Sequence, residues 1–157
     1  MIAPDSSVLI AGFVASHRFH EITLPSLAEV AARGNLIAHT IAETYTVLSA
    51  PGGIYRAEPR AVVDYLDQFL GDGPPIPVLP AAYREAIDLL AGNGRPGGAV
   101  YDALIALAAR DAKATLVSLD TRAAPTYELC GVDAQLLAST PTRRCGGSPV
   151  PGVFMTS

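Results

Sequence analysis

The chain alternates short apolar runs with longer stretches in which apolar residues recur every three or four positions. That mixture predicts strands interleaved with helices. Residues 2–14 read as a short buried strand ending near Asp5, then a turn into a helix, with Asp5 and Ser6 suited to cap it. A second helix is expected over 21–33, with Leu24, Leu27, Ala28 and Ala31 on one face. Pro25 is tolerated only in a first turn, which places the start there, and Gly34-Asn35 stops the helix. Residues 36–38 form a strand candidate, followed by a helix from His39 to Leu48 that Pro51-Gly52-Gly53 halts. The segment 60–70 gathers Val62, Val63, Leu66 and Leu70 on one side of a helix. Residues 71–80 hold two glycines and four prolines and must be a loop, with an edge strand at 76–79. Helices at 83–90 and 99–110, a strand at 114–119, a helix at 124–130 and a last strand at 133–137 complete the pattern.

This order predicts an α/β fold with a central, mainly parallel sheet of four to five strands flanked by helices. In such sheets the functional site lies beyond the carboxyl ends of the strands. Residues 1–138 are expected to form the domain. The stretch 139–157 carries three prolines and three glycines without periodicity and reads as an irregular tail.

Composition narrows the function. At 157 residues the chain makes one domain, and with 50% apolar and 17% charged residues it is not disordered. Two cysteines, Cys130 and Cys145, are too few for a disulfide framework. Three histidines (His17, His20, His39) without a Cys-x-x-Cys pair argue against structural zinc. No apolar run is long enough to span a membrane and the N-terminus lacks a basic leader, so a cytoplasmic protein is expected. The net charge of −4 argues, at first, against nucleic acid.

Four acids change that picture. Asp5 and Asp120 each end a predicted strand, and so fall on the same edge of a parallel sheet. Glu43 sits one turn into the helix after residues 36–38, and Asp102 interrupts the apolar run Val100 to Ala106. Taken singly, each has an ordinary structural role: a cap, a helix-dipole partner or a solvated side chain. Taken together, two strand ends and two helix beginnings can meet at one corner, where a cluster of carboxylates needs protons or a cation. Oxygen donors without Cys or His select Mg²⁺ or Mn²⁺.

The motifs around these acids resemble those of a known family. Asp5-Ser6-Ser7-Val8-Leu9-Ile10, His39-Thr40-Ile41-Ala42-Glu43-Thr44, Tyr101-Asp102-Ala103-Leu104-Ile105-Ala106 and Leu116-Val117-Ser118-Leu119-Asp120-Thr121-Arg122 look like the four ordered motifs of PIN domains, most of all those of the VapC toxins of bacterial toxin–antitoxin pairs. The likeness runs from about residue 1 to 137. It implies a three-layer fold and a metal-dependent endoribonuclease that leaves a 5′-phosphate and a 3′-hydroxyl. Asp5, Glu43, Asp102 and Asp120 would hold Mg²⁺ or Mn²⁺, with Ser6 and Ser118 supporting them by hydrogen bonds. A cognate VapB-like antitoxin and a homodimer are implied as partners.

An acidic pocket that cleaves RNA needs positive charge at its rim. Arg122, two residues after Asp120, is the first candidate for a phosphate contact, and Arg95, in the glycine-rich loop before the Asp102 helix, is the second. That loop lacks the Gly-Lys-Ser/Thr ending of a phosphate loop. An aspartate-nucleophile phosphatase would need a second Asp where Ser7 stands, and a receiver domain would need a lysine at a late strand end. A PIN-fold nuclease outside a toxin pair and a catalytically silent PIN-fold binding module are the remaining alternatives. Setting the four acids aside leaves as many acidic as basic residues, so the net charge no longer excludes an RNA substrate.

Overall fold

The computed structural model describes residues 1–33 and 35–139. The expected tail and Gly34, the proposed helix stop, lie outside the described residues. In chain order the elements are β1 (Ile2–Pro4), α1 (Ser6–Phe13), α2 (His20–Arg33), α3 (Ala38–Ser49), α4 (Pro59–Leu66), α5 (Pro80–Gly92), α6 (Ala99–Asp111), β2 (Thr115–Ser118), α7 (Ala124–Leu129) and β3 (Ala134–Leu136). Short 3-10 turns follow α4 and β3.

The sheet has three strands rather than four to five, ordered β1-β2-β3 and parallel throughout. Ala3 pairs with Leu116 and Pro4 with Val117, while Ser118 pairs with Leu136. The strands expected at 36–38 and 76–79 shrink to one parallel bridge between Ile37 and Ile76. Ala38 N–H donates to the Ile76 carbonyl and Ile76 N–H donates to the Leu36 carbonyl, each at 2.8 Å. The pairing goes no further because Pro77 has no N–H to donate and α3 has already begun at Ala38.

Side chains alternate across β2 and so divide the core. Leu116 belongs to an apolar cluster with Ala3, α5, α6 and Tyr127 of α7. Val117 belongs to a second cluster, with Val8 and Leu9 of α1, Leu27 and Val30 of α2, Leu48 of α3, and Val62 and Leu66 of α4. Helices therefore cover both faces, giving three layers. Helix α6 is buried from Ala103 through Ala109, where four alanines let its neighbours approach on every side.

Helix α2 departs from the sequence expectation. It starts at His20, so Pro25 sits inside it, and it buries Thr23, Leu27 and Val30 rather than the face centred on Leu24. Pro25 lacks the N–H that would bond the Glu21 carbonyl, and both residues are exposed, so water can serve that carbonyl. Residues 14–20 form a hydrogen-bonded connection: His17 N–H donates to Val14, His20 N–H to His17, and the His20 ring lies 3.0 Å from the Ala11 carbonyl oxygen.

Candidate metal and nucleic-acid site

Asp5 is the centre of the site. It follows β1 directly, and its N–H donates to the Val117 carbonyl at 2.9 Å, which locks the two strand ends together. As the N-cap of α1, its Oδ1 accepts from Val8 N–H at 3.2 Å and from the Ser7 hydroxyl at 2.5 Å. Its Oδ2 accepts from the Ser118 hydroxyl and from Tyr127 Oη at 3.0 Å. The two serines are themselves held by the second strand end: Leu119 N–H donates to Ser7 Oγ and Asp120 N–H to Ser118 Oγ, each at 2.9 Å. Asp5 is 4% exposed, and its burial raises its pKa more than these four donors lower it.

Asp120 lies on the loop leaving β2. Its Oδ1 accepts from Arg122 N–H at 2.9 Å, and the Arg122 guanidinium spans both carboxylate oxygens at 3.1 Å. Partial burial pushes the Asp120 pKa up, but the bonds and charge of Arg122 outweigh it and leave the carboxyl below its ordinary value. Asp102, in the first turn of α6, is half-buried and makes no hydrogen bond through its side chain among the described residues. Desolvation, and then the charges of Asp120, Glu43 and Asp5, push its pKa up to about 6. The charges of the other three predicted acids therefore reach Asp102 and add to the rise that its burial begins. Glu43, half-buried on α3, contributes through that charge.

The donor set suits a hard divalent cation: four carboxylates, no thiolate and no imidazole. Among the described residues no three of these side chains stand close enough to enclose an ion as they are. Arg122 supplies the positive charge the cluster lacks, lowering Asp120 directly and Asp102 at longer range. The acids thus match a hard cation in donor chemistry, though not in their present spacing.

The remaining predicted residues divide. Ser118 bonds Asp5 directly. Ser6 makes no side-chain hydrogen bond in the described structure; Ser7, the next residue, is the one that reaches back to the cap carboxylate. Arg122 sits at the rim, 90% exposed in its side chain. Arg95 is drawn to α7, where it donates to Thr126 Oγ1 at 3.3 Å, and it does not line the cleft beside Asp120. Tyr127 was not legible as a site residue; its only signal was an aromatic hydroxyl on a helix that had to be buried, and such a group needs a partner. Further out, His39 and Tyr101 stack at 5.5 Å, one on the helix of Glu43 and one beside Asp102.

Comparison with known proteins places this geometry. The family described as PIN domain matches residues 2–129. Ribonuclease VapC40 of Mycobacterium tuberculosis is 41% identical over 138 residues, covering 87% of this chain and 99% of that protein. Ribonuclease VapC27 of the same organism is 34% identical over 137 residues, covering 87% and 97%. Among solved structures, FitAB bound to an IR36 DNA fragment superposes with a TM-score of 0.65 at 16% identity, covering 92% of this chain and 100% of that one. FitAcB from Neisseria gonorrhoeae gives 0.64 at 18% identity, covering 89% and 100%. At those identities the structural likeness supports the fold alone.

Proposed function

Because the chain belongs to the PIN-domain family, we propose that its acidic corner is the active site of a metal-dependent endoribonuclease, the toxin member of a VapBC-type pair. The observation that carries this reading is that the charges of Asp120, Glu43 and Asp5, each from a different element, all act on the half-buried Asp102 and add to the burial that raises its pKa to about 6. The names of the two ribonuclease relatives support the substrate class.

Asp5, Glu43, Asp102 and Asp120 would hold Mg²⁺ or Mn²⁺. When bound, the cation supplies charge neutralisation for the phosphodiester and acidifies water for attack on phosphorus. The chain does the rest. Asp5 is fixed by donors from α1, β2 and α7, so its carboxylate has one orientation and the other acids assemble around it. Asp102 holds a proton below about pH 6 and releases it above, so the cluster receives a cation best at neutral pH and beyond. Arg122 is placed to trade its bond with Asp120 for a substrate phosphate, to which a guanidinium donates in the same two-pronged way.

Two partners complete the proposal. A small VapB-like antitoxin would restrain the site. A second copy of the chain would cover the exposed apolar side chains of Tyr83 and Ile87 on α5 and Tyr101 on α6, which are 48%, 55% and 53% exposed. No described helix is long and apolar enough to cross a membrane. The nuclease reading is tested with purified protein, structured RNA and Mg²⁺ or Mn²⁺. Cleavage should vanish with EDTA and in Asp5→Ala, leaving intact RNA on a denaturing gel. Cleavage that survives either treatment refutes the metal-carboxylate mechanism.

A further inference from the structure

A second feature adjoins the acids. Ser7, Asp120 and Arg122 line an open cleft of about 480 Å³, a volume within the range of small-ligand sites. His17, Phe19 and Tyr55 line it as well. His17 lies 5.7 Å from Tyr55 and 5.8 Å from Phe19, ring centre to ring centre, and the Arg18 guanidinium sits 4.3 Å above the Phe19 ring. The hydrogen bonds that tie residues 14–20 together hold His17 and Phe19 in place. His17 Nδ1 accepts from Phe19 N–H at 3.2 Å, so in the neutral ring Nε2 carries the hydrogen and remains a donor. Core packing accounts for part of Tyr55 and Phe19, but both line the cleft as well, beside His17 and Arg18.

We propose that this cleft receives a nucleobase next to the scissile phosphate, with His17 and Tyr55 as the side chains that pack against it and position the strand. The proposal rests on the nuclease reading of the acidic corner. The lining is complementary to a nucleotide: Arg122 beside Asp120 suits a phosphate, and the aromatic side chains of His17 and Tyr55 suit a base. Stacking accepts every base, while the base of a continuous duplex is already stacked and cannot enter. Arg18, exposed over Phe19, adds positive charge where the strand would continue.

The test measures binding rather than cleavage, in an Asp102→Asn background with Mg²⁺ present. Fluorescence anisotropy compares a mixed-sequence single-stranded oligoribonucleotide, the same strand in a perfect duplex, and an abasic strand of equal length. The unaltered cleft should prefer the base-bearing single strand over both others by about ten-fold or more, the range expected for one stacked base. His17→Ala and Tyr55→Leu should lose that preference while binding the abasic strand as before. Tyr55→Phe, which keeps the ring, should retain it. Arg122→Gln should weaken base-bearing and abasic strands alike. Melting temperatures of the variants separate lost stacking from lost folding, and Tyr55→Phe remains informative if Tyr55→Leu fails to fold.

If RNA binds without preference for bases, or the preference persists in His17→Ala and Tyr55→Leu, the cleft proposal is wrong and the nuclease reading stands. If the cleft variants bind RNA normally but lose binding to a protein partner, the cleft is a peptide site and the proposal is overturned. If no RNA binds and the unsubstituted protein cleaves none, the nuclease reading fails and takes the proposal with it.

Discussion

Replacing Asp102 by Asn should abolish the proposed activity and yet stabilise the cation-free protein. The carboxyl makes no side-chain hydrogen bond among the described residues, so the amide forfeits none, and the two side chains are nearly isosteric. What Asn removes is a charge that burial disfavours first and the charges of Asp120, Glu43 and Asp5 disfavour further. A rise from 3.8 to about 6 corresponds to at most about 3 kcal/mol against the ionised form. Asp102 is only half-buried, and screening by solvent reduces this to about 1–2 kcal/mol. For a chain of this size that is a gain of about 3–6 °C in melting temperature.

The pH dependence follows from the direction of the shift. The folded-state pKa lies above the unfolded value, so the folded protein binds the extra proton between about pH 4 and 6. Stability contributed by that proton is present at low pH and lost as pH rises through about 6. The advantage of Asp102→Asn should therefore be nearly absent near pH 4, about half developed at pH 5 and full at pH 7.5. Asp5 shifts in the same direction but is common to both proteins, so the difference between them isolates Asp102. Thermal melts in EDTA from pH 5 to 8 measure it, and adding Mg²⁺ should then raise the melting temperature of the unsubstituted protein more than that of the variant. Asp120→Asn is the contrast: its carboxyl is held low by Arg122, so neutralising it should bring no gain. An Asp102→Asn protein that melts at or below the parent at pH 7.5, or an advantage that does not change with pH, would refute the account of a strained acidic cluster.

Other substitutions probe the supports. Tyr127→Phe removes a buried donor to Asp5 and should cost about 1–2 kcal/mol, read from urea denaturation midpoints at constant slope. The hydroxyls of Thr40 and Thr44 on α3 are buried without a partner among the described residues, so Thr44→Val should raise stability by about 1 kcal/mol in the same assay. A Cβ at Gly12 would stand 2.1 Å from Leu27 Cδ1 and 2.8 Å from Tyr65 Oη, whose hydroxyl donates to the Leu9 carbonyl. Gly12→Ala should accordingly cost about 1–3 kcal/mol, and that added cost should shrink when it is measured in a Leu27→Ala background.

The acids were legible because each breaks a local rule. Asp5 and Asp120 end apolar strands, and Asp102 directly precedes the stretch of α6 that is buried from Ala103 to Ala109; a charge in such a setting needs a reason that can be sought along the chain. The helix over residues 99–110 and the strand over 114–119 were legible for a related reason, since one long periodic segment and one β-branched run need no partner to be recognised. What failed depends on a neighbour distant in sequence. Residues 36–38 and 76–79 have strand composition, but pairing requires a donor, and Pro77 withholds one. Helix α2 starts ahead of Pro25, and its neighbours cover the face through Thr23, Leu27 and Val30, one residue's turn of roughly 100° from the face centred on Leu24.

The same division runs through the site itself. Whether Ser6 or Ser7 reaches Asp5 is decided by the first turn of α1, and Ser7 has a second role that no local pattern carries, because its Oγ also receives Leu119 N–H from the far end of the chain. Ser118 and Tyr127 meet Asp5 only because β2 lies in register beside β1 and α7 packs beneath it. The charges that perform the chemistry can thus be read from composition against pattern, whereas the groups that aim those charges exist only once the sheet has formed. Substitutions of the two kinds should fail differently. Asp102→Asn leaves a better-folded protein without activity, while Tyr127→Phe leaves every acid in place and loses stability together with the fixed orientation of Asp5.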